Sequence, residues 1–418
     1  MNTVDYELPS AFFKNHTVLL TGGTGCLGAC ILFKLALQAD TRRVYVLVRG
    51  SVERAKSQWE ASMAGHIDAV LATGRVELLV GDVRKKDLGL DPSVLAELAG
   101  AVTLVIHCAA NISLLASLHD TIRDNCLPTL ELAELASGFK HLSRFVYVST
   151  TYVNMFLPGG PVEERVYETR DAERQLAAIL DTGSESESAP PMDVELDGFP
   201  TPYTFVKHLT ERLLLVRHPR LALLVFRPSF LGPAISQPFP YYVRDGSAPV
   251  SKVIEKFIEF GVRHVEQILP AHIGGGANVL DEIPVDLAAN LLLLHCIHGS
   301  TGPVHACAQS YVPRTIAQMV ADDVEPHTRQ AHTRIQKQSA RVPVGNTGVA
   351  LRFYAIVAHC ARKDWHFLNA SSRKFAEVGG PLGMKLHGHD PEKYFAGRAK
   401  LIAEKVRANA GARRTSKL

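Results

Sequence analysis

Neither sign of charge dominates this chain, and no apolar run in it is long enough to cross a bilayer. The 45 lysines and arginines stand against 42 aspartates and glutamates, and a net charge of +3 gives no reason to expect nucleic acid as a partner. The longest apolar stretch, residues 287–296, is about half of what a spanning helix requires and contains Asn290, so no transmembrane segment is expected. Residues 1–9 are polar and acidic, so no signal peptide is expected there. The seven cysteines show no paired metal-ligand spacing and sit mostly in apolar runs, as buried free thiols do in a reducing compartment. Cys26 and Cys30, four apart, fall on the helix behind a glycine loop, and no metal is expected. With 46% hydrophobic residues over 418 positions, the chain can bury one large core plus a smaller one.

What is present begins at residue 16. The apolar run 16–20 leads into Thr21-Gly22-Gly23-Thr24-Gly25-Cys26-Leu27-Gly28, and residues 29–37 then carry a helical pattern. A strand that turns on glycines into a helix brings free backbone N–H groups and the positive helix end to one point, which suits a pyrophosphate. Further strands are expected at 44–48, 76–80, 102–107, 145–149 and 221–226, with helices between them, for example over 118–137. They are short, β-branched and apolar without alternation, as parallel strands covered on both faces are. The expected fold class is α/β, a Rossmann-like doubly wound parallel sheet with a smaller, mostly helical C-terminal substrate region. The expected division is 1–235 for the dinucleotide-binding domain with the catalytic residues and 236–320 for a mixed substrate-binding region with returning Rossmann elements. A helical segment over 321–412 and a tail over 413–418 complete it. Residues 183–191 read as an exposed mobile loop, 253–266 as an amphipathic helix, and 391–410 as a helix with a solvated basic face.

Three pieces fall where a reductase needs them. Ser149-Thr150-Thr151 ends the fifth strand, and Tyr203-Thr-Phe-Val-Lys207 opens a helix. Tyrosine and lysine at i and i+4 share a helical face, so the ammonium is expected to lower the phenol's pKa toward the working pH. The Thr150 hydroxyl would hold the substrate oxygen beside that phenol, and Asn125, on the helix after the fourth strand, would steady a water chain that reloads the proton. Each piece recurs by chance in other proteins; their joint occurrence in this order is what points to catalysis.

With these residues in view, the chain resembles an extended short-chain dehydrogenase/reductase, and within that superfamily the fatty acyl-CoA reductases and thioester-reductase domains. The similarity runs from the glycine loop to about residue 290. It is carried by Gly81-Asp-Val83, His107-Cys-Ala-Ala-Asn111, Phe145-Val-Tyr-Val-Ser-Thr-Thr-Tyr-Val-Asn154, Val162-Glu-Glu-Arg-Val-Tyr167, the Tyr203/Lys207 helix with Glu211, Arg227-Pro-Ser-Phe-Leu-Gly-Pro-Ala234 and Ile283-Pro-Val-Asp286. The resemblance implies that Thr150, Tyr203 and Lys207 are catalytic, with Asn125 as a fourth member. It also implies that residues Thr21 to Gly28 cradle the cofactor, Asp82 and Val83 flank the adenine, Ala109 and Ala110 lie along the cofactor, and Pro228 and Ser229 approach the nicotinamide. Two departures stand out. Cys126-Leu-Pro128 replaces the glycine usual after the asparagine, which predicts a kinked helix. Two tyrosines in Gln237-Pro-Phe-Pro-Tyr-Tyr242 replace a glycine and a tryptophan, which predicts a rebuilt substrate lid.

No acid ends the second strand to bind a ribose 2′-hydroxyl; Arg49 is there, with Arg54 following, and a guanidinium suits a 2′-phosphate. NADPH is therefore the expected cofactor. The expected reaction is reduction of an acyl thioester, on CoA or on a carrier protein, to an aldehyde and then an alcohol. A ketone or aldehyde reductase of secondary metabolism would use the same residues, and an NADP-sensing regulator would use the glycine loop without the Tyr/Lys pair. The chain closes in Ser416-Lys417-Leu418 behind Arg413 and Arg414, the address read by the peroxisomal import receptor, so a disordered tail and a peroxisomal location are expected.

Overall fold

The computed structural model describes residues 8–63, 65–113, 116–181, 196, 198–260, 276–328, 356, 359–360 and 362–415. The strands are β1 (Thr17–Thr21), β2 (Arg43–Val48), β3 (Val76–Val80), β4 (Leu104–His107), β5 (Arg144–Val148), β6 (Gly160–Val162), β7 (Leu223–Pro228), β8 (Phe230–Gly232), β9 (Glu282–Pro284), β10 (Gly302–Ala306) and β11 (Trp365–Phe367). The principal helices are α1 (Cys26–Leu37), α2 (Leu127–Ser137), α3 (Pro202–Arg217), α4 (Pro249–Phe260), α5 (Val285–Ile297) and α6 (Pro391–Thr415).

Seven strands form one sheet in the order β10-β7-β5-β4-β1-β2-β3. Every neighbouring pair is parallel. Strand order reverses between β1 and β4, the point where open α/β sheets bind ligands beyond the carboxyl ends of their strands. The apolar runs are unbroken because each strand feeds two cores in alternation. Val18, Leu20, Val44, Val46, Ile106, Val146 and Phe226 enter the layer that also holds residues of α1 and α5. Leu19, Tyr45, Leu47, Val105, Phe145, Tyr147 and Val225 enter the opposite layer with residues of α2 and α3. β10 has no counterpart among the strands expected from sequence; two of its five residues are Gly302 and Pro303, which hides it from a propensity reading.

The helix expected over 118–137 is interrupted. Residues Ile122–Cys126 form a single π turn in which the Leu127 amide donates five residues back, to the Ile122 carbonyl. Pro128 has no N–H to give to the carbonyl four residues earlier, and the wider turn accommodates that loss. α4 begins at Pro249, earlier than expected, and residues 261–275 and the 183–191 loop lie outside the described residues. Arg413 and Arg414 belong to α6 rather than to a disordered tail, because the helical backbone continues to Thr415. Ser416-Lys417-Leu418 lie outside the described residues. Among the described residues no helix is long and apolar enough to cross a membrane.

Candidate active site

At the β1–β4 switch point a cleft of about 440 Å³ opens, a volume in the range of small-ligand and cofactor sites. Thr21, Gly22, Thr24, Gly25, Arg49, Asp82, Val83, Ala109 and Ala110 are in its wall, brought together from the ends of β1 to β4. Gly22 has φ 72° and the two turns touch there: a Cβ on it would stand 2.5 Å from the Ala109 nitrogen. Gly28 supplies the close helix–strand approach, since its Cβ would meet the Gly22 carbonyl oxygen at 2.2 Å. Gly25, in the cleft wall, caps α1 without a side-chain hydrogen bond, so the cap supplies no protein acceptor to the amides of the first turn. Gly23, Cys26 and Leu27 stand behind this surface. The Gly23 carbonyl accepts from the indole of Trp59 at 2.8 Å, and Cys26 and Leu27 belong to the core.

Where the second and third strands end the wall carries charges of both signs, Arg49 and Arg84 with Asp82 and Asp124. Arg49 lines it, and Arg84 clasps Asp82 through Nε at 3.1 Å and Nη2 at 2.8 Å. That clasp, with a smaller contribution from the field of Arg49, holds the Asp82 carboxyl below its ordinary pKa. Arg54 is exposed, with its side chain beside Gly50, and is not among the residues that line the cleft. Arg84, two residues beyond Asp82, was a readable signal that the sequence reading passed over. Arg244, also in the wall, was not readable, being 220 positions from the glycine loop it touches.

Beneath the cleft a chain of buried hydrogen bonds fixes both turns. Thr129 gives its hydroxyl proton to the Asn125 carbonyl at 2.6 Å, so at 2.9 Å it must accept from His107 Nε2. His107 Nδ1 then accepts from Thr21 Oγ1 at 2.7 Å, and Thr21 accepts the Ala109 amide at 3.3 Å. Burial lowers the His107 pKa to about 3, which keeps this neutral tautomer. The Asn125 side chain brackets the backbone of Asn111, accepting its N–H at 2.7 Å and donating to its carbonyl at 2.8 Å. Its role is to hold the loop after β4 in place.

The reacting groups gather around the end of β5. Thr150 caps the turn Thr151–Asn154, its hydroxyl accepting from the Tyr152 amide at 3.3 Å. Among the described residues the buried hydroxyls of Ser149 and Thr151 and the amide of Asn154 have no partner, an excess of unmet polar groups that suits a ligand site. α3 packs on this turn and carries Tyr203 and Lys207. Lys207 is buried, donates to the Val148 carbonyl at 2.7 Å, and sits 4.5 Å over the Tyr147 ring. Burial lowers its pKa to about 8, opposed in part by Cys108 of the cleft wall. Tyr203 corrects the expectation of a lowered phenol: desolvation raises it to about 12, because Lys207 is turned to the end of β5. A phenol that stays protonated is a hydrogen-bond donor and acid, the role a reduction needs. Pro228 and Ser229 follow at the end of β7, both buried, with the Ser229 amide donating to Ala306 at 2.9 Å; neither is in the cleft wall.

Sheet order and cleft define a dinucleotide-binding Rossmann protein of the extended short-chain dehydrogenase/reductase type. The profile of the male sterility protein family, an NAD-binding family, matches residues 20–292, and the chain belongs to that family. A nicotinamide dinucleotide is accordingly the cofactor, and the close glycine approach and the Arg49 and Arg244 side chains of the cleft fit that group. A putative fatty acyl-CoA reductase of Drosophila melanogaster is 26% identical, with 76% of this chain and 60% of that protein covered. Fatty acyl-CoA reductase 1 of Xenopus laevis is 26% identical over 70% of this chain and 60% of its own length. The chain thus spans about 60% of the length of these curated relatives. The solved terminal R domain of the myxalamid PKS-NRPS pathway shares the fold, with TM-score 0.60, 18% identity, and 94% of this chain and 91% of that one covered.

Proposed function

We propose that the protein is an NADPH-dependent reductase of acyl thioesters. What supports this reading is that Thr150 and the Lys207 ammonium stand at the end of β5, with Tyr203 one turn before Lys207 on α3, in a chain whose dinucleotide cleft carries Arg49 in its wall. The relatives named as fatty acyl-CoA reductases support acyl-CoA as the substrate class. The nicotinamide, when bound, supplies hydride to the carbonyl carbon. Thr150 and Tyr203 donate hydrogen bonds to the oxygen as negative charge develops on it, and Tyr203 gives up its proton there. Lys207, one turn along α3 and bonded to the Val148 carbonyl, would hold the nicotinamide ribose. The hemithioacetal so formed collapses to an aldehyde, its hydroxyl proton leaving with the thiol. Arg49, which follows β2 in the cleft wall, would favour the 2′-phosphate through charge-assisted hydrogen bonds.

The test is incubation of the purified protein with NADPH and a mixture of acyl-CoA esters of different chain length, followed by mass spectrometry. Aldehyde or alcohol of matching chain length supports the reading. Unchanged esters, with reduction seen only when ketones or aldehydes are supplied, overturn it.

A further inference from the structure

We propose that Arg244 is a ligand for the cofactor's diphosphate, delivered to the glycine loop by the strap of residues 233–248. The inference rests on the cleft being the dinucleotide site.

The strap is held from three sides. The buried carboxylate of Asp286 accepts the backbone N–H groups of Ile235 at 3.0 Å, Ser236 at 2.9 Å and Gln237 at 3.2 Å. From α1, the buried Lys34 donates to the Gln237 side chain at 2.6 Å. Tyr242, fully buried, donates its hydroxyl to the Cys26 carbonyl in the first turn of α1 at 3.1 Å. On the far side Tyr241 stacks on Tyr394 of α6, with ring centroids 5.6 Å apart and planes 12° from parallel. Its φ of 63° is a left-handed conformation that a bulky residue adopts only when its surroundings impose it. The room for its hydroxyl exists because position 397 is glycine; a Cβ there would lie 2.0 Å from it.

All these contacts fix the backbone that carries Arg244. Its guanidinium lines the cleft and donates to the Thr24 carbonyl at 3.2 Å. Among the described residues no carboxylate lies within salt-bridge distance of it, and the adjacent Asp245 is engaged by Lys405 at 3.0 Å. A half-buried cation without an acid, set against the side-chain-free N-terminus of a helix in a dinucleotide cleft, matches an anion that arrives with the ligand. The diphosphate is the anion at that end of the site, and it is common to NADH and NADPH. Arg244 therefore sets affinity for both, whereas Arg49, at the other end of the wall, sets the preference between them.

Calorimetric titration of wild type, Arg244→Ala, Arg244→Lys and Arg49→Glu with NADPH, NADH and ADP-ribose tests this. ADP-ribose keeps the diphosphate and lacks both the 2′-phosphate and the nicotinamide. Arg244→Ala is expected to raise Kd about tenfold for all three ligands, the scale of one lost charge-assisted hydrogen bond, with partial recovery in Arg244→Lys. Arg49→Glu is expected to weaken NADPH alone. Wild type that binds while both Arg244 variants bind equally well overturns the role of Arg244 and leaves the cofactor reading standing. Loss confined to NADPH in Arg244→Ala also overturns it, by moving the guanidinium to the 2′-phosphate. Wild type that binds none of the three overturns the cofactor reading and this inference with it.

Discussion

Tyr203 and Lys207 show how placement, rather than residue type, sets what a pair can do. Four residues apart on α3, they share a face, but Lys207 spends its ammonium on the Val148 carbonyl while the phenol is desolvated and stays protonated. Tyr203→Phe removes the proton donor and leaves the cleft wall intact. It is expected to lower turnover by at least a hundredfold with cofactor affinity unchanged, as steady-state kinetics and a binding titration would show. Retention of a tenth or more of the activity would remove Tyr203 from the chemistry. The cofactor preference belongs to one residue in the same way. Arg49→Glu places a carboxylate where a 2′-phosphate would sit, so the ratio of NADPH to NADH affinity is expected to fall about tenfold or more. Equal weakening of both cofactors would show that preference lies elsewhere in the wall.

At the scale of elements, α3 is tied to β7 by a buried ion pair. Arg227 Nε donates to Glu211 at 2.9 Å, its second nitrogen also contacts that carboxylate, and a third reaches the Arg165 carbonyl at 2.9 Å. Both side chains are inaccessible to solvent, so Glu211→Ala strands a charge in the core and is expected to cost about 3–5 kcal/mol of unfolding free energy. Denaturant melts measure this directly, and a loss below about 1 kcal/mol would mean that water reaches Arg227. The elements also show what could be read in advance. The strands β1 to β5 and β7 were legible because unbroken β-branched runs between glycine-marked turns have few other uses, and the Pro128 kink was legible because proline lacks a donor. β10 was hidden by its Gly302-Pro303 start. The bracket of Asn125 around Asn111 and the reach of Arg244 to Thr24 were hidden because they depend on how segments far apart in sequence meet. Arg84 was legible and overlooked: a base two residues from Asp82 stands at the same strand end.

At the scale of the whole molecule, four of the histidines among the described residues are buried and held neutral. Burial lowers His107, His295 and His305 to about 3 and His208 to about 4. The unfolded chain protonates these sites as pH falls below their ordinary 6.5, and the folded chain does not until pH 3–4. Unfolding then takes up protons, and stability falls across that window by as much as about 1.4 kcal/mol per pH unit for each histidine. Asp281, raised to about 6 by burial, opposes this as a single group against four. The thermal midpoint is expected to drop steeply between pH 6.5 and 4.5, and a flat profile over that range would contradict the neutral, buried assignments. The reaction itself is tested by NADPH oxidation with a long-chain acyl-CoA, followed at 340 nm while free thiol is titrated in the same cuvette. Thiol is expected to be released in step with the first equivalent of NADPH consumed, with neither signal in Tyr203→Phe. NADPH consumed by wild type without any thiol would contradict it, because only cleavage of a thioester releases CoA.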